Sequence, residues 1–279
     1  MDVSDHRINN EAVIDTLVVT GGHPFEPDPF FAVFDSYADI RWTASDRPRT
    51  GRPGTDLDVV VFYDMPGLLF TGGEPPVDVV ATPAEVRRTF EGLTDEGVGL
   101  VFLHHSIASW PHDDWFAEMV GGRFHYRPGR LRGVDYPDSG YLFDVTHEIE
   151  VIEPTHPVCA GVSDGFTLTD ELYCFPVFED SVLPLMRTTF PADDHRHFHS
   201  ADLAIRGRMN EAHGWSHPAG SRLVAWARAV GRSPLVYLQF GDGPTTYADP
   251  AFRRVVHDAI AWSASPEAHE WVRTTNPNG

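Results

Sequence analysis

Apolar runs recur along the chain, each closed by glycine, proline or a polar side chain. Val13–Thr20, VIDTLVVT, ends at Gly21-Gly22, and Leu57–Tyr63, LDVVVFY, ends at Asp64 and the turn Met65-Pro66-Gly67. Both lack inside-outside alternation, so they predict strands covered on both faces, as in a parallel sheet. Ala38–Thr43 predicts a weaker strand and Val98–Leu103 a strong one. Between the last two, Thr82-Pro83-Ala84-Glu85 reads as a capping box with Thr82 as N-cap and proline at the first helical position. Val86, Phe90 and Leu93 then share one helical face, and Gly97 ends the helix. A further helix is expected from about Pro111 to Val120, stopped by Gly121-Gly122.

Strand, helix and strand at this spacing imply right-handed crossovers onto a mostly parallel sheet with helices on both faces. The stretch from Arg123 to Val145 is rich in glycine, proline and tyrosine and reads as a long ordered loop. His147–Ile152, Phe166–Leu168, Val182–Thr188, Ser221–Ala227 and Pro234–Phe240 are expected strands, and Phe190–Gly220 a second long loop dense in histidine. Asp249-Pro250 starts a last helix to about Ser263, with Phe252, Val256, Ala259 and Ile260 facing inward. No repeat or linker interrupts the pattern, so one domain is expected over 1–279, with its core at about 14–264 and long loops over one sheet edge. Loops of that length in a compact domain are usually functional.

Open α/β sheets bind ligands at the carboxyl ends of their strands, which makes the residues after each run informative. The first run delivers His23, the third Asp64, and the fourth His104, His105 and Ser106, with Trp110 close behind. A lone histidine at a strand end is usually a hydrogen-bonded structural residue, but three strand ends converging on one edge suggest a site. FTLTDELYCFP adds Asp170, Glu171 and Tyr173, where adjacent carboxylates suit acid–base work or a metal. His125 is a further candidate for a ligand or a metal. His195, His197 and His199 alternate, which on a strand would align three imidazoles and in a loop would only be a solvated segment.

The chain has a net charge of -20, which argues against nucleic acid or an anionic membrane as partner. All 21 basic residues are arginine, which excludes an anchored pyridoxal phosphate and a phosphate-loop lysine. TGGHP lacks the dinucleotide fingerprint, so NAD is not expected, and Ser106 lacks the surroundings of a serine hydrolase nucleophile. Cys159 and Cys174 lie far from any CxxC spacing and from the His104 turn. The first dozen residues show no apolar leader and no apolar run reaches bilayer length, so a cytoplasmic protein is expected. An acidic surface leaves a homodimer open.

The ordered series LVVTGGHPF, VVVFYDMPG, GVGLVFLHHSIASW, MVGGRF, THPVCAGV, LTDELY, LVAWARAVGRSPLVYLQFGDG and DPAFRRVVHDAIAW resembles the ThuA-like (trehalose utilisation) proteins over nearly the whole chain. That resemblance implies a flavodoxin-like, class I glutamine amidotransferase-like fold in which a histidine-bearing turn replaces the catalytic cysteine. His104 and His105 match the turn, Asp170, Glu171 and Tyr173 the D-E-x-Y segment, and His23 the histidine after the first strand. The chain departs at Gly241-Asp242, where many relatives resemble Gly-His; an aspartate there can bind a metal but is a poorer base at neutral pH.

The resemblance implies carbohydrate metabolism, with a keto-sugar or glycoside as substrate. One reading is proton transfer beside a carbonyl, giving isomerisation or elimination. His104 or His105 would be the base, and Glu171 or Asp170 the partner acid or, with the histidines, a ligand to zinc or manganese. Tyr173 and Trp110 would pack on sugar faces, with His23, Asp64, His125 and Asp242 as further binding residues. Metal-assisted hydrolysis, with His104, His125 or the 195–199 histidines around zinc, is a second reading. A sugar-binding module without catalysis is a third.

Overall fold

The structure, a computed structural model, describes residues 13–49 and 57–277; the expected lack of a leader in the first dozen residues lies outside them. The apolar runs become strands β1 Ile14–Gly21, β2 Ile40–Ser45 and β3 Val59–Asp64, with helix α1 Pro27–Asp35 between the first two. A small hairpin, β4 Leu68–Phe70 and β5 Val77–Val79, precedes α2 Ala84–Glu96 and β6 Gly99–Leu103. Gly97 ends α2 in the left-handed conformation. The start of α2 lies one residue later than the capping-box reading: Pro83 is the N-cap and no side chain caps it.

After β6 come α3 Asp114–Val120 and a second hairpin, β7 Gly129–Leu131 and β8 Val134–Tyr136. Then follow β9 Gly140–Val151, β10 Phe166–Cys174, β11 Leu183–Thr188 and the two-residue β12 His199–Ser200. The chain closes with α4 Ala201–Ile205, β13 Leu223–Val230, β14 Ser233–Leu238, α5 Pro244–Ala248, α6 Pro250–Ser263 and α7 Pro266–Thr275.

The central strands β2, β1, β3, β6 and β14 pair in that order and in parallel, the doubly wound order of flavodoxin-like folds. Successive side chains of these strands go to opposite faces. Val18, Val61, Val101 and Val236 pack on one side with Phe30 and Phe34 of α1 and Val256 and Ile260 of α6. Leu17, Val60, Leu100 and Leu235 pack on the other with Phe90 of α2 and Phe116 of α3. Unbroken apolar runs are what a sheet covered on both faces requires. Gly99 permits a close contact between sheet and helix: a Cβ there would lie 2.6 Å from the carbonyl oxygen of Ser263 at the end of α6.

Beyond β14 the sheet continues as an antiparallel arm, β13, β11, β9 and β10. The arm curls back over the carboxyl ends of the parallel strands. Thr246 of α5 donates to the carbonyl of Thr169 in β10 at 3.2 Å, and Asp170 accepts from the backbone beyond β14. The stretch 123–145 is thus not a plain loop but holds a hairpin and the start of a 12-residue strand. Turn residues there break the run into pieces too short to signal strands. Likewise Phe190–Gly220 carries β12 and α4, which lie over the same edge.

Candidate functional site

β6 ends at Leu103, and the chain turns sharply at His104, whose φ is 49°. A non-glycine residue in the left-handed region is uncommon and marks a turn held by its surroundings. Here Tyr237 of β14 donates its hydroxyl to the His104 carbonyl at 3.0 Å, and a short 3-10 turn follows over His104–Ala108. The His104 ring is completely buried. Its Nδ1 lies 2.7 Å from the carbonyl oxygen of Gln239; that oxygen can only accept, so Nδ1 carries a proton.

Nε2 therefore points the other way, toward three oxygens. Tyr173 Oη stands at 2.8 Å, Glu171 Oε2 at 3.1 Å and Asp242 Oδ1 at 3.5 Å. Burial alone would push His104 down, but Asp242, Glu171 and Asp170 outweigh it and hold the imidazole well above its usual range. Burial pushes Glu171 up despite His104, whereas Asp242 is held below the ordinary aspartate range because His104 outweighs its burial.

Glu171 reaches this point through an irregularity in the pairing of β10 with β9, where β9 carries the extra residue. The pairing with β9 shifts register between Asp170 and Leu172, and Asp144 on the facing strand has φ 54°. Such a bulge re-aims a side chain. Asp170 and Glu171 are both buried but do different things. Asp170 accepts from the backbone N–H of Gly241 at 2.7 Å, of Asp242 at 3.0 Å and of Glu171 at 3.0 Å, and so pins the loop that carries Asp242. Tyr63 Oη donates to the Gly241 carbonyl at 2.7 Å and lies 2.6 Å from Tyr247 Oη, clamping the same loop from its other side.

Glu171, Tyr173, Asp242 and His23 line a pocket of about 280 Å³. Phe70, Phe124, Tyr126, Tyr141 and Phe143 form aromatic walls, and α4 with Met209 covers it. His104 stands behind these groups rather than in the pocket wall. His104, Glu171 and Asp242 are the one group of potential metal ligands among the described residues, with donor atoms within 4.8 Å of one another. A histidine whose second nitrogen is tied to a carbonyl, set between two carboxylates, suits a divalent cation such as zinc or manganese.

The other expected site residues fall around this centre. His105 turns away from Glu171: its ring stacks on His23 at 4.3 Å and its Nε2 lies 3.3 Å from the Tyr63 carbonyl. Burial and the neighbouring histidines push both His105 and His23 down. Asp64 is buried beside the turn, its carboxyl pushed up to about 7 by burial. Trp110 packs in the core against Gly67, outside the pocket wall. His125 faces a different cavity and is pushed down to about 3 by burial and Arg123. His195 and His197 occupy a 3-10 turn and His199 the short β12, so their alternation does not gather three imidazoles around one point.

The sequence pattern does not single out the aromatic walls. One signal was available: in Arg123-Phe124-His125-Tyr126-Arg127 polar and aromatic residues alternate, and Phe124 and Tyr126 both line the pocket. Gln239, which orients His104 through its backbone, had no side-chain signal to betray it.

A ThuA-like protein from Parabacteroides merdae superposes with a TM-score of 0.63 at 14% identity, covering 91% of this chain and 90% of that one. A ThuA-like protein from Bacteroides uniformis gives 0.62 at 16% identity, covering 92% of this chain and 94% of that one. At these identities the likeness is one of fold. A comparison with curated proteins finds no match. No helix among the described residues is long and apolar enough to cross a membrane. The profile of the trehalose-utilisation family, ThuA, matches residues 40–263, well over half of the sequence, and the chain belongs to that family.

Proposed function

We propose that this protein is an enzyme of carbohydrate utilisation that moves a proton beside the carbonyl of a keto-sugar or keto-glycoside, leading to isomerisation or elimination. The observation that carries the reading is the grouping of Glu171, Tyr173 and Asp242 around His104 Nε2 on the polar side of an aromatic-walled pocket. Aromatic faces suit the apolar C–H faces of a sugar ring, and the carboxylates suit its hydroxyls. The family supports a carbohydrate as the substrate class.

Glu171 faces the pocket, and its proton affinity is raised by burial, as a general base working near neutral pH needs. His104, fixed by Gln239, exchanges the proton with Glu171 across 3.1 Å and keeps the pair close to neutral overall. Tyr173 donates its hydroxyl toward the developing oxyanion, while its oxygen accepts from the charged His104 Nε2–H. Asp170 acts as a positioning residue through the Gly241–Asp242 backbone. A zinc or manganese ion held by His104, Glu171 and Asp242 would supply Lewis-acid polarisation of the sugar carbonyl. The same donor set favours a second reading, cation-assisted hydrolysis of a glycoside. A cytoplasmic setting fits the two unpaired cysteines.

The test is NMR in D₂O with a panel of keto-sugars and keto-disaccharides. Solvent deuterium entering at the carbon next to the carbonyl, lost in Glu171→Gln, is the expected result. Release of free sugar without such exchange would point to hydrolysis. Sugar binding without any product would overturn both enzymatic readings.

A further inference from the structure

The extended segment Arg123–Arg127 is a wall with two faces. Phe124 and Tyr126 point into the pocket beside Glu171, while Arg123, His125 and Arg127 line a second cavity of about 230 Å³ on the opposite side, with Tyr126 at the rim of both. Arg130 and His112 complete the basic lining of the second cavity. In a chain of net charge -20, a cavity with three arginines and two histidines is a departure that the acidic surface does not explain.

Only one carboxylate, Asp114, lines this cavity, and it is taken by Arg123 at 3.0 Å. Among the described residues neither Arg127 nor Arg130 forms an ion pair; Arg127 donates one N–H to the Val77 carbonyl at 3.3 Å, and Arg130 is paired with Asp135 across the hairpin through the backbone register alone. Buried donors there lack partners as well. Arg123 Nε and both ring nitrogens of His125 have none, although the two residues are only 2% and 5% exposed. Buried polar groups normally find a partner, so unpaired groups lining a cavity point to a ligand that supplies it.

We infer that the cavity formed by Arg123, His125, Arg127 and Arg130 is an oxyanion site for a small molecule bearing a phosphate or carboxylate group. Planar guanidinium forks match either group bidentately, and the cluster, from buried Arg123 to exposed Arg130, gathers positive charge in an otherwise acidic chain. A bound oxyanion would accept from Arg127, Arg130 and the His125 ring N–H. The site is separate from the Glu171 pocket, so it stands or falls independently of the reaction proposed there.

The experiment is titration of the full chain with inorganic phosphate, with gluconate and with chloride, followed by calorimetry and by the imidazole ¹⁵N resonances of His125. Saturable binding of phosphate or gluconate that shifts the His125 signals is expected, weakened about tenfold or more in Arg127→Gln and Arg130→Gln. Arg88→Gln, on the exposed side of α2, should leave it unchanged. Tighter phosphate binding identifies a phosphorylated ligand, and tighter gluconate binding a sugar acid. Absence of saturable binding, equal response to chloride, or binding insensitive to both arginine variants would overturn the site. The His125 shift in the unaltered chain answers the question even if a variant fails to fold.

Discussion

Glu171 stands on β10 and His104 just after β6, two strands separated by four others in the sheet, yet their side chains meet at 3.1 Å. The pair exists because the antiparallel arm curls until β10 lies over the ends of β6 and β14. Glu171→Gln keeps the side-chain volume and removes the exchangeable carboxylate. We expect turnover to fall by about 10²–10⁴-fold with far-UV circular dichroism unchanged. If zinc or manganese occupies the His104–Glu171–Asp242 group, the amount retained after dialysis, measured by plasma mass spectrometry, should fall in parallel. Full activity in this variant would remove Glu171 from the chemistry.

The left-handed backbone at His104 makes a second prediction about stability rather than rate. Asn tolerates this conformation and Ala does not, by roughly 1–2 kcal/mol. His104→Asn and His104→Ala should both be inactive, but the asparagine variant should be the more stable by about 1 kcal/mol in urea unfolding. Equal stabilities would mean that lost packing, not backbone conformation, dominates at this turn.

Asp170 holds three backbone N–H groups and faces no substrate in the proposed reaction. In Asp170→Asn the amide nitrogen must confront one of those donors. A loss of about 1–3 kcal/mol is expected from leaving a buried donor unpaired. Because Asp242 moves with the Gly241 loop, KM should rise in the surviving folded fraction as well. A variant with native stability and native KM would show that the tyrosine clamp suffices.

Two sets of groups withdrawn from water, His147 and Asp64 buried and His156 half-buried, set opposite pH dependences. His147 and His156 are pushed down to about 4 by burial. Neutral in the fold and charged when unfolded below 6.5, they stabilise less as pH falls from 6.5 toward 4. Asp64 is pushed up to about 7. It stays protonated in the fold while the unfolded chain ionises, so its contribution falls as pH rises from 3.8 to 7. Asp64→Asn should therefore gain a few kcal/mol at pH 8 and little at pH 4, while His147→Gln should gain about 2 kcal/mol at pH 5 and little at pH 8. Urea midpoints at the three pH values check both signs.

Much of this architecture is legible in the residues. The unbroken runs at β1, β3 and β6 say that both faces are covered, and the Asp249-capped helix α6 lies where its apolar spacing puts it. Four helices escape a pattern reading, two of them the five-residue α4 and α5. Pro27 and Pro29 disguise α1, although proline is harmless in a first turn, and α7 follows α6 after a break too short to see. Asp170 and Glu171 read as residues beyond a short strand, whereas β10 continues through them to Cys174. Which histidine meets Glu171 is a matter of sheet curvature and of one bulge, and neither leaves a periodic trace. The turn at 104–105 thus carries two adjacent imidazoles with different fates, one facing the carboxylates and one stacked among aromatic rings.

The curled arm also makes the site a product of long-range closure. The pairing of β1, β2, β3 and β6 is completed within Ile14–Leu103, but Glu171 reaches His104 only across a separation of 67 residues. Partial opening of β10 would abolish the site while leaving the parallel core folded. Amide protection in β10 is consequently a direct gauge of how much of a preparation is competent, and a ligand that bridges Glu171 and His104 should slow exchange there before it slows exchange in β1, β3 or β6.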